Sequence, residues 1–319
     1  MIRKHPTLPQ LGGGLYLTDG GLETTLIFHD GIELPDFAAF HLLQSAEGEA
    51  ALRRYFRTYA EVARRFEAGL VLETPTWRAS ADWGQRLGYD AVALADVNRR
   101  SVRLIDGIRR SYGSGSAPIV ISGCLGPRGD GYSPDVTLSA DEAEAYHQAQ
   151  VDTLAAASVD LLSGLTLTTA DEAIGITRAV RRTGLPVVLS FTVETDGRLP
   201  TGERLGDAID RVDIATGAYP AYYMINRAHP THFEQEMESD GDWLGRIRGL
   251  RANASCKSHA ELDACETLDA GNPLDLARRF ARLKMALPGL HVLGGCCGTD
   301  HRHIEAIARA CAPLFRVAA

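Results

Sequence analysis

The sequence Gly294-Gly295-Cys296-Cys297-Gly298-Thr299 decides how the rest of the chain is interpreted. It follows a short apolar run, His291-Val292-Leu293, and precedes a helical pattern that begins near Asp300. Glycines allow the backbone to turn sharply and leave the sulfur atoms uncovered, as thiolates that converge on a metal require. Two buried core cysteines beside a tight turn would give the same local pattern. This stretch alone therefore leaves metal binding and core packing as alternatives.

The composition is that of a globular protein with an acidic surplus. The chain has 319 residues, of which 45% are hydrophobic and 23% are charged, and its net charge is −8. This length accommodates one large α/β domain or two ordinary ones. No basic stripe is present, which argues against nucleic-acid binding, and solubility explains the negative charge.

The N-terminal sequence, the hydropathy pattern and the cysteine content predict a cytoplasmic protein. Residues 1–17 include Arg3 and Lys4 but no apolar segment of a secretory signal. No apolar run is long enough to predict a membrane span. Six cysteines are too few for a disulfide scaffold in a chain of this length. A reducing cytosol, in which Cys296 and Cys297 remain thiols, fits best.

Short apolar runs alternate with longer amphipathic stretches throughout the chain. Eight apolar runs are predicted strands, at residues 15–18, 70–73, 118–122, 159–162, 186–191, 222–226, 250–254 and 291–293. Eight strands that alternate with helices predict a single (β/α)₈ TIM barrel, an α/β fold, that covers residues 1–319. A doubly wound open sheet is the alternative, and the lack of a GxGxxG fingerprint after the first strand argues against it.

The longer stretches predict helices at residues 45–66, 89–110, 139–157, 169–182, 272–286 and 300–312. Ser139 with Glu142 forms the pattern of a capping box, which marks the start of a helix. Asn272 followed by Pro273 predicts another helix start, with asparagine as the cap and proline at the first helical position.

The active sites of TIM barrels lie at the C-terminal ends of the strands. The unusual residues of this chain fall at such ends: Asp19, Glu73, the turn at 123–127, Glu194, the segment 226–230 and the pair Cys296-Cys297. Because these ends meet in one mouth, the metal interpretation of the cysteine pair becomes the stronger one.

Several residues at the strand ends have both a functional and a structural interpretation. Asp19 can bind an ammonium group or orient a ligand, or it can be a turn aspartate bonded to its own backbone. Glu73 and Glu194 can contact a substrate or a surface partner. His229 and His232 can ligate a metal, although a pair of loop histidines more often has a structural role.

Together, four of these motifs resemble the homocysteine S-methyltransferase family. They are Asp19-Gly20-Gly21, the Gly-X-X-Gly-Pro turn at residues 123–127, Asn226-X-Ala-His-Pro, and Gly294-Gly295-Cys296-Cys297-Gly298-Thr299. The resemblance extends from Asp19 to about Ile304, and the last motif is the family's signature for two of three zinc-binding thiolates. It implies a (β/α)₈ barrel, in agreement with the strand count.

The resemblance also implies a reaction. Zinc (Zn²⁺) held by three cysteines would take the homocysteine thiol as its fourth ligand and stabilise the thiolate. The thiolate would then attack a methyl group on a sulfonium, an ammonium or a folate and give methionine. Cys296 and Cys297 would be zinc ligands, and the predicted substrate-binding residues are Asp19, Gly20, Gly21, Glu73, Glu194 and Asn226.

One position departs from the family pattern. The family's first zinc cysteine directly follows the asparagine that ends the sixth strand, and here that residue is Arg227. A guanidinium keeps its charge and has no free lone pair, so it cannot ligate zinc. His229 or Cys256 could replace the missing ligand, the metal could bind only weakly, or the activity could be impaired. Residues 163–166 also lack the Glu-Thr pair that some members use for the substrate amine.

Two functions follow from these observations. The first is zinc-dependent methyl transfer to homocysteine from a sulfonium donor, S-methylmethionine or S-adenosylmethionine, with betaine as a further possibility. The chain ends at Ala319 with no cobalamin or folate module, which disfavours a cobalamin-borne methyl group. The alternative is a catalytically weak or inactive barrel that binds a small amino acid or a protein partner, and Arg227 favours it.

Overall fold

Eight parallel strands close a barrel in the order of the chain, in a computed structural model that describes residues 8–113, 117–131, 137–238, 240–263 and 267–315. They are β1 (Tyr16–Leu17), β2 (Gly69–Glu73), β3 (Ile119–Leu125), β4 (Leu161–Leu167), β5 (Val187–Phe191), β6 (Tyr222–Asn226), β7 (Ile247–Ala252) and β8 (Val292–Gly295). The two-residue strand β1 pairs with both β2 and β8 and so closes the barrel. The predicted (β/α)₈ fold is therefore confirmed.

Helices surround the barrel. Those in the described part of the chain are α1 (Leu22–Thr24), α2 (Ala46–Arg65), α3 (Ala81–Arg86), α4 (Ala91–Tyr112), α5 (Ala140–Ala156), α6 (Ala170–Thr183), α7 (Leu205–Thr216), α8 (His259–Asp263), α9 (Pro273–Ala286) and α10 (His301–Cys311). The Ser139–Glu142 capping box is present at the start of α5, and Asn272 caps α9 with Pro273 at its first position. Both predicted helix starts are confirmed.

Helix α7 was not among the predicted helices. Its N-cap residue is Arg204, whose side chain makes no capping hydrogen bond, so the sequence carries no start signal there. Its C-terminal Gly217 lies in the left-handed region. Strand β7 also begins earlier than predicted, at Ile247, because Arg248 and Gly249 interrupt the apolar pattern.

The barrel interior is apolar at its N-terminal end and polar at its C-terminal end. Tyr16, Val71 and Tyr222 belong to the apolar cluster inside the barrel. Gln10, just before β1, donates to the Tyr222 hydroxyl at 3.3 Å and covers this end. Farther along the strands the buried side chains include Ser122, Ser163, Ser190, Glu73 and Arg251. The polar residues are therefore concentrated at the end where barrel active sites lie.

Strand β4 ends in an irregular turn that shapes the mouth. Its pairing with β5 shifts register between Gly164 and Leu167, and Thr166 has a φ of 63°. A β-branched residue rarely adopts this backbone conformation, so neighbouring contacts must hold it. Asn226 provides them, since its side-chain oxygen accepts from Thr166 N at 2.9 Å and its amide donates to Thr166 Oγ1 at 2.8 Å.

Within the described residues, no helix combines the length and the apolar character that crossing a membrane requires.

Candidate active site

A cavity opens at the C-terminal ends of the strands, with an empty volume of about 790 Å³ that includes its open mouth. Most of the residues predicted from the sequence line it: Asp19, Gly20, Gly21, Glu73, Asn226, Arg227, Cys296 and Cys297. Two predicted site residues, Glu194 and His229, do not line it.

The turn after β8 is fixed by backbone hydrogen bonds on both sides. Cys296 N donates to Ala252 O at 2.8 Å, and Cys297 O accepts from Ala254 N at 3.0 Å. On the other side, Gly21 N donates to Thr299 O at 3.0 Å, which joins this turn to the glycine turn after β1. Gly21 must be glycine because a Cβ atom there would lie 2.7 Å from Cys296 O. The two motifs therefore pack directly against each other.

The two thiols of the pair differ in acidity. A hydrogen bond from the Cys297 thiol lowers the pKa of Cys296 to about 6, and the charge of Arg251 contributes in the same direction. That hydrogen bond and burial raise the pKa of Cys297 well above its usual value. The amide of Asn226 also lies 3.8 Å from the Cys296 sulfur. The pair therefore favours a thiolate on Cys296 beside a thiol on Cys297.

Asp19 forms a buried ion pair that the sequence analysis did not foresee. One of its carboxylate oxygens accepts from Arg251 Nη2 at 2.7 Å, and the other accepts from the Tyr55 hydroxyl at 3.0 Å. Burial raises the pKa of Asp19, and the charge of Arg251 opposes this rise. Arg251 Nη1 is buried and has no hydrogen-bond partner in the described residues. The signal that could have identified Arg251 is its position as a charged residue within the apolar run of the seventh strand.

Glu73 reaches the cavity from the end of β2. Its carboxylate accepts a hydrogen bond from the Ser163 hydroxyl at 2.6 Å, and Ser122 donates to Ser163 at 2.9 Å. Burial raises the pKa of Glu73, and the charge of Arg251 opposes the rise. Glu73 therefore lies in the polar layer of the barrel, with a serine already bound to it.

Arg227 is held inside the cavity wall, not turned out to solvent. Only 3% of it is exposed, and its Nη1 donates to Gly131 O at 2.6 Å. Its backbone has a φ of 58°. The Arg227 carbonyl accepts from His259 Nε2 at 2.6 Å and from Asn253 Nδ2 at 3.1 Å. The position that follows the asparagine of β6 is thus fixed by two neighbours and carries a buried cation.

The proposed substitute ligands lie elsewhere. His229 Nδ1 is 2.8 Å from Thr231 Oγ1, and Cys256 is exposed. Glu194 contacts His259, with 3.2 Å between its Oε1 and the histidine Nδ1, so it supports the Arg227 carbonyl indirectly. Cys265 lies outside the described residues.

These residues do not fit a three-cysteine zinc site. Among the residues described, no group of three histidine, cysteine, aspartate or glutamate side chains is arranged to hold a metal ion. Cys296 and Cys297 offer two sulfur ligands, and the guanidinium of Arg227 stands in the same cavity wall. A fixed cation there repels a divalent metal, and zinc sites in proteins need at least three protein ligands.

Similarity to known proteins agrees with the motifs. A family model described as homocysteine S-methyltransferase matches residues 16–311. The chain belongs to the homocysteine S-methyltransferase family. The predicted family and the prediction of a methyltransferase enzyme are thereby confirmed. Homocysteine S-methyltransferase 4 of Zea mays is 24% identical over 323 aligned residues, which cover 93% of this chain and 90% of that protein.

Solved structures of this family have the same fold. The metallated form of the homocysteine methyltransferase MmuM from Escherichia coli has a TM-score of 0.72 at 19% identity. Its oxidised form has a TM-score of 0.69 at 20% identity. In both comparisons 93% of this chain and 96% of the other chain are covered. At this identity the similarity establishes the barrel fold of the homocysteine S-methyltransferase family and leaves the chemistry to the residues.

Proposed function

We propose that residues 1–319 form one homocysteine-binding barrel that transfers a methyl group to the homocysteine thiol. The observation that carries the proposal is the pair Cys296-Cys297, which faces a cavity at the strand ends in a member of this family. A thiol acceptor placed beside the pair would lie near two guanidinium groups, those of Arg227 and Arg251. Positive charge favours a thiolate over a thiol, and only the thiolate is a good nucleophile.

The reaction needs an in-line arrangement of acceptor and donor. The acceptor sulfur forms a bond to the methyl carbon while the bond from that carbon to the donor breaks. The electron pair of the broken bond stays on the donor, which becomes neutral if it was a sulfonium, and the thiol proton is released to solvent. The barrel contributes by holding both molecules in one cavity, since positioning alone accelerates such a transfer strongly.

A sulfonium compound is the proposed donor, and S-methylmethionine is the first choice. Trp77 and Phe37 line the cavity, and aromatic faces attract small organic cations. S-adenosylmethionine and betaine are the other donors to test. The proposed cytoplasmic location is supported by the sequence, whose six cysteines are too few for a disulfide scaffold.

Zinc would stabilise the acceptor thiolate if three cysteines held it. We propose that this chain binds zinc weakly because Arg227 occupies the position of the third thiolate, and that its methyl transfer is therefore slow. The same observation favours the second candidate function, a barrel that binds a small amino acid without turnover.

The test combines binding with turnover. The purified chain, Arg227→Cys and Cys296→Ser are each supplied with homocysteine and one of the three donors, with and without zinc, and methionine is measured by mass spectrometry. We expect slow formation of methionine by the chain itself and a rate about 10²-fold higher for Arg227→Cys with zinc. Homocysteine binding without methionine from any variant would support the second function. Absence of homocysteine binding would refute the first function.

A further inference from the structure

Glu23 is a cavity residue that the sequence analysis did not single out. It lies two residues after the glycine turn, in the first turn of α1, and lines the same cavity as Cys296 and Cys297. Its carboxylate accepts a hydrogen bond from its own backbone amide, and in the part of the chain that the structure describes no other side chain forms a hydrogen bond or an ion pair with it. Burial raises the pKa of Glu23 to about 7, and the charges of Cys296 and Asp19 add to the rise.

The other carboxylates are already engaged. Asp19 is bound by Arg251 and Tyr55, and Glu73 accepts from Ser163. Glu194 lies outside the cavity lining, where it contacts His259. Strand β4 carries no carboxylate at all. A cation that enters the cavity therefore meets Glu23 as a lining carboxylate to which no other side chain of the described residues is bound.

We propose that Glu23 binds the ammonium group of the amino-acid acceptor, an inference that rests on the proposed function. In homocysteine the sulfur and the nitrogen are only four covalent bonds apart. One molecule can therefore place its thiol beside Cys296 and its ammonium group against Glu23 within the same cavity. Glu23 would then bind the substrate ammonium group in a chain whose strand β4 has no carboxylate for it.

An ammonium group satisfies this carboxylate better than a sulfonium group does. Both are small organic cations, but an ammonium group has N–H donors and a sulfonium has none. A partly buried carboxylate needs hydrogen bonds as well as opposite charge, and charge-assisted hydrogen bonds are the strong ones. For this reason the cation at Glu23 is assigned to the acceptor and not to the methyl donor.

The experiment compares homocysteine with 4-mercaptobutanoate, which is homocysteine without its amino group. Affinities of both compounds are measured by titration calorimetry, without a methyl donor, for the chain, Glu23→Gln and Glu33→Gln. Glu33 is an exposed glutamate in the same N-terminal segment and outside the cavity lining, which makes it a matched control. The chain and Glu33→Gln are expected to prefer homocysteine by about tenfold or more, and Glu23→Gln is expected to lose this preference.

Three results would overturn the assignment, and they differ in what else they affect. If the chain binds homocysteine no better than 4-mercaptobutanoate, Glu23 does not hold the ammonium group, while the proposed function stands. If Glu23→Gln keeps the preference but binds trimethylsulfonium more weakly than the chain does, the donor is the cation at Glu23. If the chain binds neither thiol, the proposed function fails as well.

A folding check keeps the comparison valid. Glu23→Asp retains the charge with a shorter side chain and is expected to keep part of the preference. Thermal unfolding of each variant is followed by circular dichroism, and 4-mercaptobutanoate binding that is unchanged in Glu23→Gln shows that the cavity is intact. If Glu23→Gln weakened the binding of homocysteine and of 4-mercaptobutanoate by the same factor, a contact between Glu23 and the ammonium group would be contradicted.

Discussion

The turns after β6 and β8 contribute Arg227 and the pair Cys296-Cys297 to the cavity lining. The two turns have similar backbone contacts but present different side chains. Both turns are held by β7, through Arg227 N to Arg251 O at 3.2 Å and through Cys296 N to Ala252 O at 2.8 Å. Both contain a residue in the left-handed region. In the β8 turn this residue is Gly298, with φ 78°, and in the β6 turn it is Arg227, with φ 58°.

The difference shows that the frame of a site and its chemistry can change separately. The β6 turn is fixed through the Arg227 carbonyl, which His259 and Asn253 hold, and these bonds do not involve the side chain. A residue that tolerates the left-handed backbone at this position would therefore be presented in the same way. The β8 turn presents two thiols, whereas the β6 turn presents a cation, and we propose that this cation prevents the two turns from sharing a metal.

The largest expected effect is on zinc affinity, when the β6 turn is given a cysteine like those of the β8 turn. Arg227→Cys adds a third thiolate and removes a fixed cation, so zinc affinity is expected to rise by about 10⁴-fold. Zinc per chain is measured by mass spectrometry of the metal after gel filtration in the presence of a weak chelator. We expect about one zinc ion in Arg227→Cys and little in the chain itself.

Two controls separate charge from ligation in this experiment. Arg227→Ser removes the cation without adding a thiol and is expected to bind zinc only slightly better than the chain. Arg227→Cys combined with Cys296→Ser should lose the zinc again. Tight binding of one zinc ion by the unchanged chain would show that the cation at position 227 does not prevent metal binding.

The two cavity arginines are expected to differ in their contribution to stability. Arg251→Met leaves the buried carboxylate of Asp19 without its ion-pair partner and should lower the free energy of unfolding by about 3–5 kcal/mol. Arg227→Met removes a buried guanidinium that donates to the Gly131 carbonyl and should cost about 2 kcal/mol or more. Urea unfolding measures both. Adding Asp19→Asn to Arg251→Met should recover part of the loss, and strictly additive costs would contradict the ion pair as the cause.

The left-handed glycine of the β8 turn is also tightly enclosed. A Cβ atom on Gly298 would lie 2.8 Å from Asp269 O and 3.1 Å from Ala254 Cβ. Gly184, which ends α6 with φ 77°, has no atom within 4 Å of such a Cβ and provides the matched control. Gly184→Ala should cost about 1 kcal/mol through backbone strain and Gly298→Ala about 2 kcal/mol or more. Equal losses in thermal unfolding would mean that the β8 turn adjusts freely.

The smallest expected effect is a pH dependence at the β6 turn. Burial, with contributions from Arg279 and His232, lowers the pKa of His229 to about 4. Between pH 6.5 and 4 the unfolded chain binds a proton at this histidine and the folded chain does not, so this residue makes stability fall as the pH falls. With solvent screening the effect is about 1 kcal/mol. His229→Asn should therefore show a shallower acid slope in urea unfolding, and an unchanged slope would exclude His229 as its source.

The strand ends were predictable because eight short apolar runs recur along the chain and six of them are followed by an unusual residue. That pattern placed Asp19, Glu73 and the cysteine pair correctly in one mouth. It could not show that Asp19 is already bound by Arg251, since an ion pair between residues 232 positions apart leaves no local pattern. Glu23 escaped notice because a carboxylate in the first turn of a helix is ordinary, and only the closed barrel reveals that this one faces the cavity.

The closure of the barrel by β1 has a consequence for synthesis in the cell. The ribosome adds Arg251 to the chain 232 residues after Asp19, which at ordinary elongation rates is a delay of roughly 10–50 s. During this interval the two residues of β1 have neither β8 beside them nor a cation for their neighbouring carboxylate. The first strand to be made is thus among the last to be locked in place. A nascent chain that stalls before β8 lacks both the strand that closes the barrel against β1 and the cysteine pair that lines its cavity.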